Sequence, residues 1–139
     1  MKETIPVTVL TGFLGAGKTT LLNHLLSEKH GYKCAIIINE FGEIGIDHLL
    51  VSTPSENMRL LSNGCLCCEV RGDLVETLAG AARQRREGAI PPFDRVIVET
   101  TGLADPVPLV RTVVTDVDVA PSYSLDSIIT VVDAVHTLG

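Results

Sequence analysis

Short apolar runs recur along the chain and are separated by polar, glycine-containing or helically periodic segments. Continuous apolar runs of four to eight residues are typical of strands buried on both faces. Two runs, at 48–51 and 58–61, are interpreted as short strands flanking a Ser/Thr/Pro turn at 52–55. The other runs predict buried strands near 7–10, 34–38, 95–98 and 127–132.

Three segments between these runs have the features of helices. Leucines recur at helical spacing from Lys18 to about Lys29, and Gly31 closes that segment. Asp73 is a good N-cap for a helix through Arg86. Asp105 and Pro106 resemble an N-cap and first-turn proline of a helix toward Val114. Strands alternating with helices predict an α/β fold with a doubly wound, mostly parallel sheet.

The first predicted strand leads into the sequence Gly-Phe-Leu-Gly-Ala-Gly-Lys-Thr at 12–19. This is the phosphate-loop pattern, and the strand before it and the helix after it make a chance match improbable. Backbone N–H groups and the positive end of the helix dipole bind phosphate oxygens there. Lys18 adds charge for the β- and γ-phosphates, and Thr19 offers its hydroxyl to Mg²⁺. The predicted nucleotide contacts are Gly12, Gly15, Ala16, Gly17, Lys18, Thr19 and Thr20.

A second motif on the phosphate side follows the strand at 95–98. Glu99 stands at the carboxyl end of that strand, where ligands bind in doubly wound sheets. Its carboxylate can hold Mg²⁺ through water, and Gly102 allows a backbone N–H to approach the γ-phosphate. We therefore predict Lys18 and Glu99 as catalytic residues. A strand that simply ends in a polar turn is the alternative for this motif taken alone.

The segment 39–47 combines two glycines with the acidic residues Glu40, Glu43 and Asp47. Its glycines permit movement, and its acidic residues could reach a metal. A switch segment that senses the γ-phosphate is one interpretation. An acidic solvated turn is the other, and for Glu43 both stay open.

Composition narrows the classes of partner. The net charge is −6, from 11 Lys and Arg against 17 Asp and Glu, which argues against nucleic acid. The chain contains no apolar run near 18 residues and no signal-peptide layout, so we expect a cytoplasmic location and no membrane partner. Cysteines in that compartment are expected as reduced thiols.

Three of the four cysteines, Cys65, Cys67 and Cys68, fall within four residues in a predicted loop at 64–68. Such close cysteines pair poorly as disulfides, but they suit Zn²⁺, Cu(I) or another thiophilic metal. Zn²⁺ would want a fourth ligand, which Glu40, Glu43 or His48 could supply. Cys34, in its apolar strand, is interpreted as a buried, inert thiol.

Together these segments resemble the CobW-type family of P-loop GTPases, which act as metal chaperones or metallocofactor-assembly factors. The motifs that carry the resemblance are Thr11-Gly-Phe-Leu-Gly-Ala-Gly-Lys-Thr-Thr20, Asn39-Glu-Phe-Gly42, Asn63-Gly-Cys-Leu-Cys-Cys68, Glu99-Thr-Thr-Gly-Leu-Ala-Asp-Pro106 and Val131-Val-Asp-Ala-Val-His136.

The resemblance implies GTP hydrolysis with Mg²⁺ and binding of Zn²⁺ or Co²⁺ by the thiolates of Cys65, Cys67 and Cys68. It also implies nucleotide-dependent release of metal to a client metalloprotein or a cobalt-chelating system. Some members have glutamate where this chain has Ile38. Family members continue into a guanine-reading motif and a smaller C-terminal domain, so we expect residues 1–139 to be the N-terminal part of a GTPase domain.

Two other functions use the same phosphate loop. An ATP-dependent kinase or ligase is one alternative, although it gives the cysteine cluster no role. A non-catalytic metal- and phosphate-binding module is the other.

Overall fold

One mixed sheet organises the computed structural model, which describes residues 3–12, 16–29, 31–100 and 105–131. Within these residues, the helices that connect its strands are α1 (Ala16–Ser27), α2 (Leu74–Arg86) and α3 (Val107–Thr115). The described strands are β1 (Ile5–Gly12), β2 (Cys34–Ile38), β3 (Leu50–Ser55), β4 (Met58–Leu61), β5 (Leu66–Glu69), β6 (Arg95–Glu99) and β7 (Tyr123–Val131).

The strand order is β3-β4-β5-β2-β6-β1-β7. The five strands from β5 to β7 in that order are parallel, and β4 and β3 are antiparallel additions at one edge. This confirms the predicted α/β class with a mostly parallel sheet. The carboxyl ends of β1, β2 and β6 therefore meet at one edge, where the phosphate-loop helix also begins.

Two apolar clusters lie on opposite faces of the sheet, because successive residues of a strand point to opposite sides. One cluster joins Leu22 and Leu26 of α1 to strand residues such as Ile36, and we call its side of the sheet the α1 face. The other joins Leu78 of α2 and Val113 of α3 to alternate strand positions, and we call its side the α2 face. Within the described residues, no helix has the length and apolar character that crossing a membrane requires.

Helices α2 and α3 begin at or within one residue of their predicted caps. Asp73 caps α2, with its side chain accepting a hydrogen bond from the Glu76 N–H at 2.8 Å, as predicted. In α3 the N-cap is Pro106, one residue later than predicted, although the Asp105 carboxylate still accepts from the Val107 N–H at 3.0 Å. Helix α1 begins at Ala16, two residues before the predicted start.

Two predictions about the segment 52–68 were wrong. The turn expected at 52–55 belongs to β3, which continues to Ser55 and pairs it with Met58. Proline is tolerated there because β3 is an edge strand. The cysteine-rich loop expected at 64–68 is instead mostly β5, which inserts between β4 and β2. The Asn63-Gly64 turn does form, but long-range pairing on both sides extends the residues after it, from Leu66, into a strand.

Candidate nucleotide and metal site

Lys18 lies in the first turn of α1 and points into the sheet edge. Lys18 is only 7% exposed, and its Nζ donates a hydrogen bond to the Thr100 carbonyl at 2.6 Å. Thr100 is itself tied to β1, because its N–H donates to the Leu10 carbonyl at 2.9 Å. The ammonium group is therefore held between the carboxyl ends of β1 and β6, where the phosphate loop begins.

Glu99 ends β6 at the same edge and is almost completely buried. Burial, the largest cause, raises the pKa of its carboxyl from the ordinary 4.5 to about 7; Lys18 opposes this shift. The carboxyl of Glu43 raises the pKa further, through its charge and a side-chain hydrogen bond to Glu99. The structure thus brings Lys18, Glu43 and Glu99 together, which the sequence alone could not establish for Glu43.

This arrangement fits a hard divalent cation. The buried Glu99 carboxyl and the exposed Glu43 carboxyl lie close enough to raise the pKa of Glu99, so a cation between them would stabilise both negative charges. Thr19, half-buried in the first turn of α1, adds a hydroxyl oxygen, and oxygen ligands of this kind are what Mg²⁺ prefers.

The segment 39–47 is anchored to the core despite its exposed acidic residues. Ile44 and Ile46 are buried in the cluster of the α1 face, while Glu40, Glu43 and Asp47 are exposed. Two short 3₁₀ turns, Phe41–Glu43 and Asp47–Leu49, flank the buried isoleucines. The turn carrying Glu43 lies against the phosphate-side residues; its role as a switch stays a prediction.

The three motif cysteines divide between the two faces of the sheet. Cys65 and Cys67 lie in the cluster of the α1 face, whereas Cys68 lies in the cluster of the α2 face. Burial raises the pKa of the Cys68 thiol to about 12. Burial, followed by the charge of Cys68, also raises the pKa of Cys67 far above its usual range, and the charge of Arg59 opposes this shift. Both side chains are therefore neutral thiols at neutral pH.

The predicted metal ligands are not assembled into one site in this conformation. Among the residues that the structure describes, no group of three or more His, Cys, Asp or Glu side chains could hold a metal ion. Glu40 and the alternative ligand His48 are exposed. The ligand set Cys65, Cys67, Cys68, Glu40 and Glu43 stays a prediction, and forming it requires a rearrangement, because Cys67 and Cys68 point to opposite faces of β5.

Cys34 is a neighbour of Cys65 that sequence reasoning missed. The Cys34 N–H donates to Cys65 Sγ at 3.4 Å across the parallel β2–β5 pair. A thiol–thiol hydrogen bond to Cys65 is the largest cause that raises the pKa of Cys34 above its usual range, followed by burial. Strand register places the two cysteines side by side, and register is not readable from either segment alone.

Asn63 begins the cysteine motif and has a structural role that the sequence pattern does not predict. Its Nδ2 donates to the Leu25 and Glu28 carbonyls at the end of α1, both at 3.0 Å. Its Oδ1 accepts from the Cys65 N–H at 2.9 Å. Gly64, with φ of +92°, forms the turn between Asn63 and Cys65. One side chain therefore joins the phosphate-loop helix to the cysteine turn.

The remaining predicted nucleotide contacts are only partly described. Gly12 has φ of +152°, and a Cβ atom there would lie 2.6 Å from the Val131 carbonyl oxygen, so the close β1–β7 approach requires glycine. Gly17 and Thr20 are exposed at the start of α1, where Ala16 is the first residue. Gly15, Gly102 and most of the motif Val131–His136 lie outside the described residues.

Comparison with known proteins gives a consistent result. A family model for the CobW/HypB/UreG nucleotide-binding domain matches residues 6–138. The zinc chaperone YjiA of Escherichia coli (strain K12) is 47% identical over 132 residues, covering 95% of this chain and 41% of that protein. The zinc-regulated GTPase metalloprotein activator 1 of Dictyostelium discoideum is 36% identical, covering 94% of this chain and 30% of that protein.

A solved structure agrees with these sequence matches. The crystal structure of Zn(II)-bound YjiA GTPase from E. coli superimposes with a TM-score of 0.80 at 46% identity. The superposition covers 97% of this chain and 42% of the solved chain. This chain therefore spans about two fifths of the length of that relative.

Proposed function

Because the chain belongs to the CobW/HypB/UreG nucleotide-binding domain family, we propose that it is the N-terminal part of a GTPase that handles zinc. The observation that carries this proposal is the convergence of Lys18, Glu43 and Glu99 at the sheet edge where the phosphate-loop helix begins. The cysteine-bearing strand β5 belongs to the same sheet and pairs with β2, which leads into the segment carrying Glu43.

The chemistry would be attack of water on the γ-phosphate, with the new P–O bond forming as the bond to the β-phosphate oxygen breaks, giving GDP and phosphate. In this proposal Lys18 exchanges the Thr100 carbonyl for phosphate oxygens. Backbone N–H groups of Gly12, Gly15, Ala16, Gly17, Thr20 and Gly102 complete the phosphate contacts. Thr19 and Glu99 would hold Mg²⁺, which supplies charge stabilisation when bound.

Zinc, or cobalt, is the cargo in this proposal, and thiolates of Cys65, Cys67 and Cys68 are its ligands, with Glu40 and Glu43 as further candidates. The thiols must lose their protons before they can bind, so metal binding is coupled to deprotonation and local rearrangement. A nucleotide can control this equilibrium only if it contacts two conformations differently. The acceptor would be a client metalloprotein or a cobalt-chelating system, as the metalloprotein-activator relative suggests.

The nucleotide part is tested by calorimetry with GTP, ATP and Mg²⁺ on the full-length protein. We expect GTP to bind more tightly than ATP, and Lys18→Ala to abolish binding because the phosphates lose their point charge. Lys29→Ala is the matched control, since Lys29 is an exposed lysine just beyond the other end of α1. Preference for ATP would favour the kinase or ligase alternative.

The metal part is tested separately by a competition titration with a chromophoric zinc chelator. Replacing Cys65, Cys67 and Cys68 together by serine should remove high-affinity zinc binding, because hydroxyls are poor substitutes for thiolates. Unchanged zinc affinity in that variant would contradict the assignment of the cysteines, even if GTP binding is intact.

A further inference from the structure

Two side chains from the cysteine-bearing region hold the segment 39–47. The Arg59 guanidinium of β4 lies over the Phe41 ring, with 4.0 Å from Cζ to the ring centroid. Its Nη1 also donates to Asp47 Oδ1 at 2.8 Å. Glu69, the last residue of β5, accepts a hydrogen bond from the Phe41 N–H at its Oε2, also at 2.8 Å. We call Arg59, Glu69, Phe41 and Asp47 the loop clamp.

The clamp is directly connected to two of the motif cysteines. In the antiparallel β4–β5 register, Arg59 is the partner of Cys67. Glu69 is the residue after Cys68 on the same strand. A displacement of either clamp side chain with its backbone therefore changes the strand pairing that keeps these two thiols buried on opposite faces.

The same short segment also touches the nucleotide side of the sheet. Glu43, two residues after Phe41, lies in the segment that follows β2, whose carboxyl end is at the edge where Glu99 ends β6 and Lys18 donates to the Thr100 carbonyl. The Glu43 carboxyl is close enough to raise the pKa of Glu99. The 3₁₀ turn Phe41–Glu43 thus carries the hydrogen bond to Glu69 at one end and, at the other, the carboxyl that raises the pKa of Glu99. Because Phe41 and Glu43 belong to the same 3₁₀ turn, we expect a backbone movement at Glu43 to move Phe41 as well.

The strengths of the clamp contacts are unequal. The Asp47 side chain is 86% exposed, so its ion pair with Arg59 contributes little by itself. The Arg59 side chain is only 30% exposed, and a cation over an aromatic face contributes more where it is partly desolvated. The Phe41 N–H to carboxylate bond is a charge-assisted hydrogen bond and is partly buried. The cation–π contact between Arg59 and Phe41 and the hydrogen bond from the Phe41 N–H to Glu69 are therefore the stronger contacts of the clamp.

We propose that Arg59 and Glu69 are positioning residues that couple the nucleotide-dependent position of Phe41 to the arrangement of Cys67 and Cys68. This inference rests on the proposed function, in which nucleotide and zinc binding are linked. It assigns the link to two side chains that bind neither ligand. Loss of either contact should uncouple the two sites without removing them.

The test measures zinc affinity of the full-length protein with and without Mg²⁺ and a non-hydrolysable GTP analogue. Allosteric coupling of ordinary size would change the zinc affinity of the unmodified protein by about 5–150-fold. We expect Arg59→Ala and Glu69→Ala each to bring this ratio to within about twofold of one. Arg59→Lys keeps the charge but not the planar stack, so it should retain only part of the ratio. Glu69→Gln keeps an acceptor oxygen for the Phe41 N–H and should retain most of it.

Arg95→Ala is the matched control. Arg95 also pairs with an aspartate, Asp126 at 3.1 Å, and also lies over an aromatic ring, that of Tyr32 at 5.8 Å. Its side chain has a similar exposure of 34%, but it contacts neither the segment 39–47 nor β5 through these partners. The coupling ratio of this variant should equal that of the unmodified protein.

The outcomes separate the two proposals. A full coupling ratio in both Arg59→Ala and Glu69→Ala, with a normal ratio in the unmodified protein, overturns the clamp and leaves the proposed function standing. Absence of nucleotide dependence in the unmodified protein, with both ligands bound, overturns the linked function and the clamp with it. If Arg59→Ala does not fold, the Glu69→Ala and Glu69→Gln pair decides the question alone, because glutamine keeps an acceptor oxygen for the Phe41 N–H and alanine does not.

Discussion

Replacing Asn63 by alanine or aspartate tests the connection between the phosphate-loop helix and the cysteine turn. Alanine removes all three hydrogen bonds of the side chain, to the Leu25 and Glu28 carbonyls and from the Cys65 N–H. Each contributes about 1 kcal/mol net. We therefore expect Asn63→Ala to lower the free energy of unfolding by about 3 kcal/mol.

Aspartate separates these contributions. It keeps an acceptor for the Cys65 N–H but removes both donors, which costs about 2 kcal/mol. It also places a negative charge at the carboxyl end of α1, where the helix dipole is unfavourable by about 0.3–1 kcal/mol. The two variants should therefore be almost equally destabilised at pH 7. At pH 4 the protonated aspartate regains a donor, so Asn63→Asp should become the more stable of the two.

The assay is urea denaturation of the full-length protein at pH 7 and pH 4, with Ser62→Ala as control. Ser62 is exposed next to Asn63, and its replacement should change stability by less than about 0.5 kcal/mol. An Asn63→Asp variant as stable as the unmodified protein at pH 7 would refute the helix-end contacts. A constant difference between the two variants at both pH values would refute the charge argument.

The remaining predictions concern the core and the thiols. The Tyr123 hydroxyl donates to the Leu78 carbonyl at 2.6 Å, so Tyr123→Phe should cost about 1–2 kcal/mol at pH 7 in a denaturation experiment. Burial raises the pKa of Tyr123 above its usual value near 10, so its stabilisation is complete below pH 10 and is lost as pH rises beyond it. The phenylalanine variant should lack that alkaline loss, and an identical alkaline profile would count against it. Phe93 is 1% exposed, so Phe93→Ala should lower the free energy of unfolding by about 3–5 kcal/mol. Val117 is 82% exposed, so Val117→Ala should lower it by less than about 0.5 kcal/mol. Similar losses in the two variants would contradict the packing described. Zinc affinity should rise with pH, because the pKa of Cys67 and of Cys68 is raised and their protons must leave; a pH-independent affinity between pH 6 and 8 would exclude these thiols as ligands.

Sequence patterns predicted correctly those helices and strands whose ends are set by neighbouring residues. The continuous apolar run at 34–38 matches β2 residue for residue, since a strand buried on both faces needs no polar alternation. The Asp73 cap of α2 was predicted correctly because the hydrogen bond that it makes spans only three residues. The order of β1 and α1 was also predicted correctly, because the strand, the phosphate-loop pattern and the helix follow one another directly in the sequence.

The sequence by itself determined the α/β class, the phosphate-loop position and the identity of the chemistry-bearing residues. Only the tertiary structure decided where those residues face and what they touch. Lys18 meets the Thr100 carbonyl across 82 positions, and β5 exists as a strand because β4 and β2 supply its hydrogen-bond partners. Strand register and the two-residue period then place Cys67 and Cys68 on opposite faces. The physical reason is that pairing partners and register depend on segments far apart in the chain, which no local pattern encodes.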